Sequence, residues 1–153
     1  MNVAAAAERE GKDVGSLAQI EKVLFLQGVE VFSYCSASQI LRIASIAHEQ
    51  RFSSGEEVFN VNDAADSIYC IVEGAVKLEN AFGETADIEQ NATFGLLDIL
   101  IGRLRDATAT AEADTLALGI DGEAFFDLLS NNVDIVKGLF RHLLDDAVKP
   151  VAW

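Results

Sequence analysis

The chain has 153 residues, half of them hydrophobic, with 11 basic and 25 acidic side chains and a net charge of −14. That length supports one well-buried core and falls short of two ordinary domains, and a surface so acidic repels nucleic-acid phosphate and anionic membranes. Two isolated cysteines, Cys35 and Cys70, fit a reduced compartment. No run approaches the ~18 apolar residues of a membrane span, so a cytoplasmic chain with no direct nucleic-acid binding and no membrane insertion is expected.

Residues 1–15, "MNVAAAAEREGKDVG", lack a sustained apolar period and read as a flexible lead-in to a domain over 16–149. Within it, 16–48 reads as N-terminal helices. Ser16-x-x-Gln19 has the form of a capping box, in which each side chain satisfies the other residue's free backbone N–H. Leu17, Ile20, Val23 and Leu24 follow at helical spacing until Gly28. Ser36-x-x-Gln39 repeats the signal ahead of an apolar face of Ile40, Leu41, Ile43, Ala44 and Ala47.

From 49 to 120 the pattern changes to short runs rich in Val, Ile, Phe and Tyr, broken by Gly, Asn and Asp, which predicts an antiparallel β unit. The clearest runs are "EQRFS", "EEVFNV", "SIYCIVEG", "AVKLEN", "TADIEQ", "ATAEA" and "TLALGI", with Gly83 placed to turn a hairpin at positive φ. Over 121–149 helices return. Asp121 is placed to cap "GEAFFDLLS", Asn131-Asn132 forms a break, and "VDIVKGLFRHLLDDAV" runs to Pro150. Val136, Phe140, Leu143 and Ala147 recur at about a 3.5-residue interval, with Ile135, Leu139 and Leu144 beside them. A stripe that wide packs wholly on its own β unit or shares itself with the same helix of a second subunit, which makes those four residues a candidate homodimer interface. The fold class is therefore α+β and mainly β: an antiparallel jelly roll, or double-stranded β-helix, with N-terminal helices and two C-terminal ones.

The order of these elements, with "RFSSGEEVFNVNDAADSIYCIVEGAVKLE" and "FGLLDILIGRLRDATATAEADTLALGIDGEAFFDLL", resembles the cyclic nucleotide-binding domain of catabolite activator proteins and of regulated kinases and channels. The resemblance covers roughly residues 20 to 147. It rests on Gly55, on Asp66-Ser67-x-Tyr69-x-Ile71-x-x-Gly74, on Phe94-Gly95 and on Arg105-x-Ala107-Thr108. It implies a non-enzymatic regulatory or sensor module with a cyclic nucleotide, cAMP or cGMP, as its candidate ligand. It also implies that ligand capture moves the terminal helices against an effector protein or domain. Transcription-factor relatives continue beyond this point into a helix-turn-helix, and "IEKVLFLQGVEVFS" resembles forms appended to transporters and helical-repeat proteins, so the effector is expected to be either a separate protein or another part of a longer chain.

Carried over by position, residues 94–108 correspond to the family's phosphate-binding cassette. Gly95, Leu96, Leu97, Arg105, Asp106 and Ala107 are thereby the candidate ligand contacts, with Arg105 as the phosphate-pairing arginine. Two departures stand out. Leu96 replaces a glutamate that accepts the ribose 2′-hydroxyl, and leaving that hydroxyl unpaired costs about 1–3 kcal/mol. Asp106 replaces a small or hydroxylated residue beside the phosphate. At ~4 Å it would repel the anion by roughly 4 kcal/mol at an effective dielectric near 20, comparable with the attraction from Arg105. Asp98 or Asp106 is expected to pair with Arg105 and fill the anion site from within. Asn62 and Ala65 stand at turn positions where the family favours glycine, and Ala tolerates the left-handed region poorly.

Metal and covalent chemistry find little support. "NVNDAAD" lacks the calcium loop's fifth ligand and its glycine, at Ala64 and Ala65, and His48 and His142 stand apart without ligand spacing. No nucleophile elbow, P-loop or Cys/His pair is present. Two readings stay open: a sensor of cyclic nucleotide or another small anion through Gly95, Leu97, Arg105 and Ala107, and a ligand-free interaction or dimerisation module.

Overall fold

The computed structural model describes residues 17–147. The lead-in 1–15, the Ser16 cap and the Pro150 terminator lie outside those residues. Helix α1 spans Gln19–Gln27 and α2 spans Ala37–Ser45, with a 3-10 turn at Glu30–Phe32 between them. Eight strands follow: β1 Ala47–Phe52, β2 Glu57–Phe59, β3 Ser67–Glu73, β4 Val76–Asn80, β5 Thr85–Ile88, β6 Thr93–Phe94, β7 Ala107–Ala111 and β8 Thr115–Asp121. Helix α3, Leu96–Ile101, interrupts them, and α4 (Gly122–Ser130) and α5 (Val133–Ala147) complete the described chain.

The strands form two four-stranded antiparallel sheets, β1-β8-β3-β6 and β2-β7-β4-β5, the jelly-roll arrangement expected from the sequence. Strand β3 shows why its pattern is nearly continuous rather than alternating. Ile68 and Cys70 pack with α1, α2, Phe125 and Ile135 in a core beneath the helices, whereas Tyr69 and Ile71 pack with Phe59, Val76, Phe94 and Ala109 in a second core. A strand covered on both faces needs apolar side chains at successive positions. β8, its partner in register from Ser67↔Asp121 to Ile71↔Ala117, is buried from Thr115 to Ile120 for the same reason, and Asp121 at its end is exposed.

Local signals behave as side-chain chemistry requires. Ser36 Oγ accepts from Gln39 N at 3.3 Å and Gln39 Oε1 accepts from Ser36 N at 2.8 Å, while Asp121 Oδ2 accepts from Ala124 N at 3.0 Å. Gly83 turns the β4–β5 hairpin at φ +82. Asn62 occupies the left-handed region at φ +74; Ala65 is not among the described residues at positive φ, so the alanine carries no left-handed strain.

Five expectations need correction. Helix α1 begins at Gln19 rather than after a Ser16 cap, because Leu17 N donates to Glu49 Oε2 and Glu21 Oε1 reaches back to Ala18 N at 2.8 Å. Its buried residues are Val23 and Leu26, whereas Ile20 and Leu24 face outward. In α2, Leu41 is exposed and Ala47 has already entered β1, leaving Ile40, Ile43 and Ala44 as the buried face. β7 begins at Ala107, two residues before the run read as "ATAEA", and β6, two residues long, was absent from the predicted strands. Two residues are too few to display an alternation.

Candidate functional site

The predicted cassette is built around two glycines at positive φ. β6 ends at Phe94, Gly95 turns the chain at φ +85 into α3, and Gly102 at φ +78 ends that helix, its N–H donating to Asp98 O at 2.9 Å. Gly95 has a second reason to be glycine: a Cβ there would stand 2.8 Å from Arg105 Nη1 and 3.2 Å from Ser67 O. Beyond α3 the backbone is pinned across the β2–β3 loop, with Arg105 N donating to Asp63 O at 2.9 Å and Asn62 N donating to Arg105 O at 2.8 Å.

These restraints bury the Arg105 side chain, which is 1% exposed. Nη1 donates to Gly95 O at 2.9 Å and to Asp98 Oδ2 at 3.2 Å, and Nη2 donates to Ser67 O at 2.6 Å. The guanidinium carbon lies 4.0 Å from the Phe59 ring centroid, a cation–π contact, while Nε has no hydrogen-bond partner among the described residues. A buried arginine of this kind requires a counter-charge, and Asp98, itself 6% exposed, provides it.

Asp98 serves two arginines. Its Oδ1 accepts from Arg103 Nε at 2.7 Å, and Arg103 Nη2 reaches Asp106 Oδ2 at 3.0 Å. The four side chains form one alternating chain, Arg105–Asp98–Arg103–Asp106, with equal numbers of each sign. The hydrogen bond that Arg103 donates to Asp98 raises the Arg103 pKa above its ordinary value; desolvation opposes this, and the charges of Asp106 and Asp98 add to the rise. Of the two carboxylates expected to meet Arg105, only Asp98 does so. Asp106 pairs with Arg103, because its side chain is 60% exposed while Arg105 is turned inward.

A cavity of about 280 Å³ lies against the cassette. Gly95, Leu96, Leu97, Asp98, Arg103, Asp106 and Ala107 line it on the cassette side, and Val31, Phe59, Leu78, Ile88, Thr93, Phe94, His142 and Leu143 line the remainder. Arg105 is not part of the lining. Leu96 is 7% exposed and Leu97 is 50% exposed, so the residue in the glutamate position presents only alkyl surface to the cavity.

On α5, Ile135 and Leu139 are buried and Val136 and Leu143 are half-buried, whereas Phe140 is 61% and Leu144 56% exposed. The wide stripe is therefore split: one edge packs on the body of the domain and Phe140 faces out. The side chain of Ala147 lies outside the described residues.

Arg103 escaped the sequence reading, although "RLRD" held the signal. In an extended segment residues two apart share a face, so Arg103 and Arg105 can turn to one carboxylate while Leu104, 57% exposed, points away. The Ser67 carbonyl and the Phe59 ring had no such local signal.

Among the described residues no helix is long and apolar enough to cross a membrane, and no three His, Cys, Asp or Glu side chains cluster as metal ligands.

The family model described as "Cyclic nucleotide-binding domain" matches residues 49–132. A cGMP-dependent protein kinase of Toxoplasma gondii is 27% identical over 138 residues, which is 90% of this chain and 14% of the kinase, so the chain spans a small part of that relative's length. The regulatory domain of Toxoplasma gondii PKA, solved with cAMP, superposes with a TM-score of 0.70 at 18% identity, covering 77% of this chain and 47% of that one. The regulatory subunit of a cAMP-independent protein kinase A from Trypanosoma brucei gives 0.67 at 18% identity, covering 78% and 46%.

Proposed function

Because the chain belongs to the cyclic nucleotide-binding domain family, we propose that it is a non-enzymatic, cytoplasmic regulatory module whose phosphate-binding cassette is closed to ordinary cyclic nucleotides by its own carboxylates. The observation that carries this reading is the Asp98–Arg105 contact at 3.2 Å, with the arginine 1% exposed. A cyclic phosphate would need that guanidinium, which already holds a carboxylate and two backbone carbonyls. It would also approach Asp98 and Asp106, both of which line the cavity. The ribose would meet Leu96, whose alkyl chain accepts no hydrogen bond. That a structural neighbour is a cAMP-independent regulatory subunit supports the idea that this fold can serve regulation without cAMP.

The effector is a separate protein or another part of a longer chain, in keeping with the small share of the Toxoplasma kinase that this chain spans. Coupling would run through α5, whose His142 and Leu143 reach the cavity while Phe140 faces outward on the same helix. In a calorimetric titration with cAMP and cGMP, the wild-type chain gives no binding heat at low micromolar ligand. The triple variant Leu96→Glu, Asp98→Ala, Asp106→Ala restores the ribose acceptor, frees the arginine and binds at least tenfold more tightly, by about 1.4 kcal/mol or more. Low micromolar binding of either nucleotide by the wild type defeats this reading.

The exposure of Phe140 and Leu144 favours a second role for α5, as the docking surface for the effector or for another copy of the chain. Sedimentation over a concentration series, with Phe140→Asp as the contrast, separates a self-associating chain from one that reserves this surface for a different protein.

A further inference from the structure

A second hollow, a groove of about 600 Å³, shares Asp98 and Arg103 with the cavity and opens between the end of α3, the β2–β3 loop and the start of α4. Its floor is Ile99, 6% exposed, against which α4 is pressed: a Cβ on Gly122 would stand 3.1 Å from Ile99 Cδ1 and 3.3 Å from Asp66 O. Leu104 and Phe126, 57% and 46% exposed, line it as well, and Ala64 and Ala65 complete the apolar surface.

Packing within the domain explains neither large side chain. Gly122, Phe125 and Leu129 are the buried positions of α4, so Phe126 points away from the core, and Leu104 is turned out because Arg103 and Arg105 both face Asp98. Brought from separate elements onto one hollow, the two form a patch rather than scattered surface residues.

The rim decides what this patch suits. Asp66, Asp98, Asp121 and Glu123 set four carboxylates on the groove against one guanidinium, Arg103, whose charge is committed to Asp98 and Asp106. Among the described residues, Asp66, Asp121 and Glu123 make no ion pair. Asp121 as cap and Glu123 in the first turn serve α4 itself. That service accounts for neither Asp66, which precedes β3, nor the exposed apolar pair. A second copy of a chain carrying −14 would bring carboxylates to carboxylates, and the phosphates of a lipid or nucleic acid meet the same repulsion. A small cation would leave Leu104 and Phe126 in water. The occupant that answers both features carries an apolar anchor between basic side chains. The anchor displaces water from Ile99, Leu104 and Phe126, while lysine or arginine heads meet Asp66 and Glu123.

We propose that this groove is the docking site for a short basic segment of a partner protein, one with a large apolar side chain flanked by lysine or arginine. Such a contact gives the effector of a regulatory module its chemistry, on elements other than the outward edge of α5, and stands whether or not the cassette takes a nucleotide.

Three fluorescent peptides, blocked at both ends, are titrated with the full chain and followed by anisotropy: a central Leu-Phe pair flanked on each side by two lysines, the same with alanines at the centre, and the same with glutamates as flanks. The first is expected to bind with Kd below about 100 µM, the alanine-centred peptide about tenfold more weakly, and the glutamate-flanked peptide not at all. Raising salt from about 0.05 to about 0.3 M weakens the first peptide severalfold, because its lysines meet surface charges. Phe126→Ala and Leu104→Ala each weaken it by about fivefold or more, and Asp66→Asn combined with Glu123→Gln by about tenfold. Phe82→Ala, and Glu79→Gln combined with Asp87→Asn, remove an exposed ring and two exposed carboxylates from the β4–β5 hairpin and leave binding unchanged. Should Phe126→Ala lower the urea midpoint, Leu104→Ala, in the loop before β7, decides the role of the apolar pair. The inference is overturned if the lysine-flanked Leu-Phe peptide fails to bind, if its alanine-centred counterpart binds as tightly, or if the hairpin variants weaken it as much as the groove variants. None of the altered residues lines the cavity beside the cassette, so the peptide and nucleotide titrations fail separately.

Discussion

Replacing Asp98 by alanine leaves Arg105 as a buried cation with two carbonyl partners, an aromatic face and no counter-charge. Breaking a buried ion pair by removing one member costs about 3–5 kcal/mol. Arg105 keeps its bonds to Gly95 O and Ser67 O, which places the cost at the lower end, about 3 kcal/mol. The second bond lost, donated by Arg103 to Asp98, adds little because Arg103 is 42% exposed and screened by water. At 2–4 °C per kcal/mol for a domain of this size, Tm falls by about 6–12 °C. The same substitution vacates the position of an anion, so an added anion should stabilise the variant selectively. Sulfate at ten times its Kd returns about 1.4 kcal/mol. Urea denaturation with and without sulfate measures both effects, with Asp98→Asn as the intermediate case because its amide oxygen still accepts a hydrogen bond. A loss below about 0.5 kcal/mol for Asp98→Ala, or equal sulfate effects on variant and wild type, would refute the assignment of Asp98 as the internal anion.

The remaining expectations concern the scaffold. Gly95→Ala combines a left-handed φ of +85 with a Cβ placed 2.8 Å from Arg105 Nη1, so it should lower unfolding free energy by more than the 1–2 kcal/mol of the backbone penalty alone, read from the urea midpoint. Asp121→Ala removes the bond to Ala124 N and costs about 1 kcal/mol, whereas Asp121→Ser retains most of it. Burial raises the Cys70 thiol from 9.0 to about 12, so the folded chain keeps a proton that the unfolded chain releases above pH 9. Its contribution is fully present below pH 9 and is lost between pH 9 and 12, with a slope of up to about 1.4 kcal/mol per pH unit. The difference in stability between wild type and Cys70→Ala, followed from pH 8 to 11, should narrow as pH rises; a constant difference would contradict the buried thiol.

What the sequence determined by itself was whatever neighbouring residues decide among themselves. The Ser36 and Asp121 caps act over three positions, Gly83 and Gly95 mark turns that need positive φ, and β-rich runs between such turns fix strand number and order closely enough to predict a jelly roll. The likeness around Phe94-Gly95 and Arg105 was likewise readable from spacing along the chain. Where a short element has no room for a pattern, as at Thr93–Phe94, the signal vanished, and where a helix has two apolar faces, as with Ile20 and Leu24 in α1, the buried one could not be chosen. Only the tertiary structure decided which carboxylate meets which arginine. Asp98 and Asp106 were equal candidates by charge, and nearness in sequence favoured Asp106, the residue next to Arg105, but α3 turns Asp98 inward while Asp106 stays at the surface with Arg103. The carbonyl of Ser67, 38 residues from Arg105, arrives only when β3 is folded beside the cassette. Burial, too, belongs to the assembled molecule: a guanidinium 1% exposed is held by the groups packed around it, and those groups come together only when two sheets and a helix close over it.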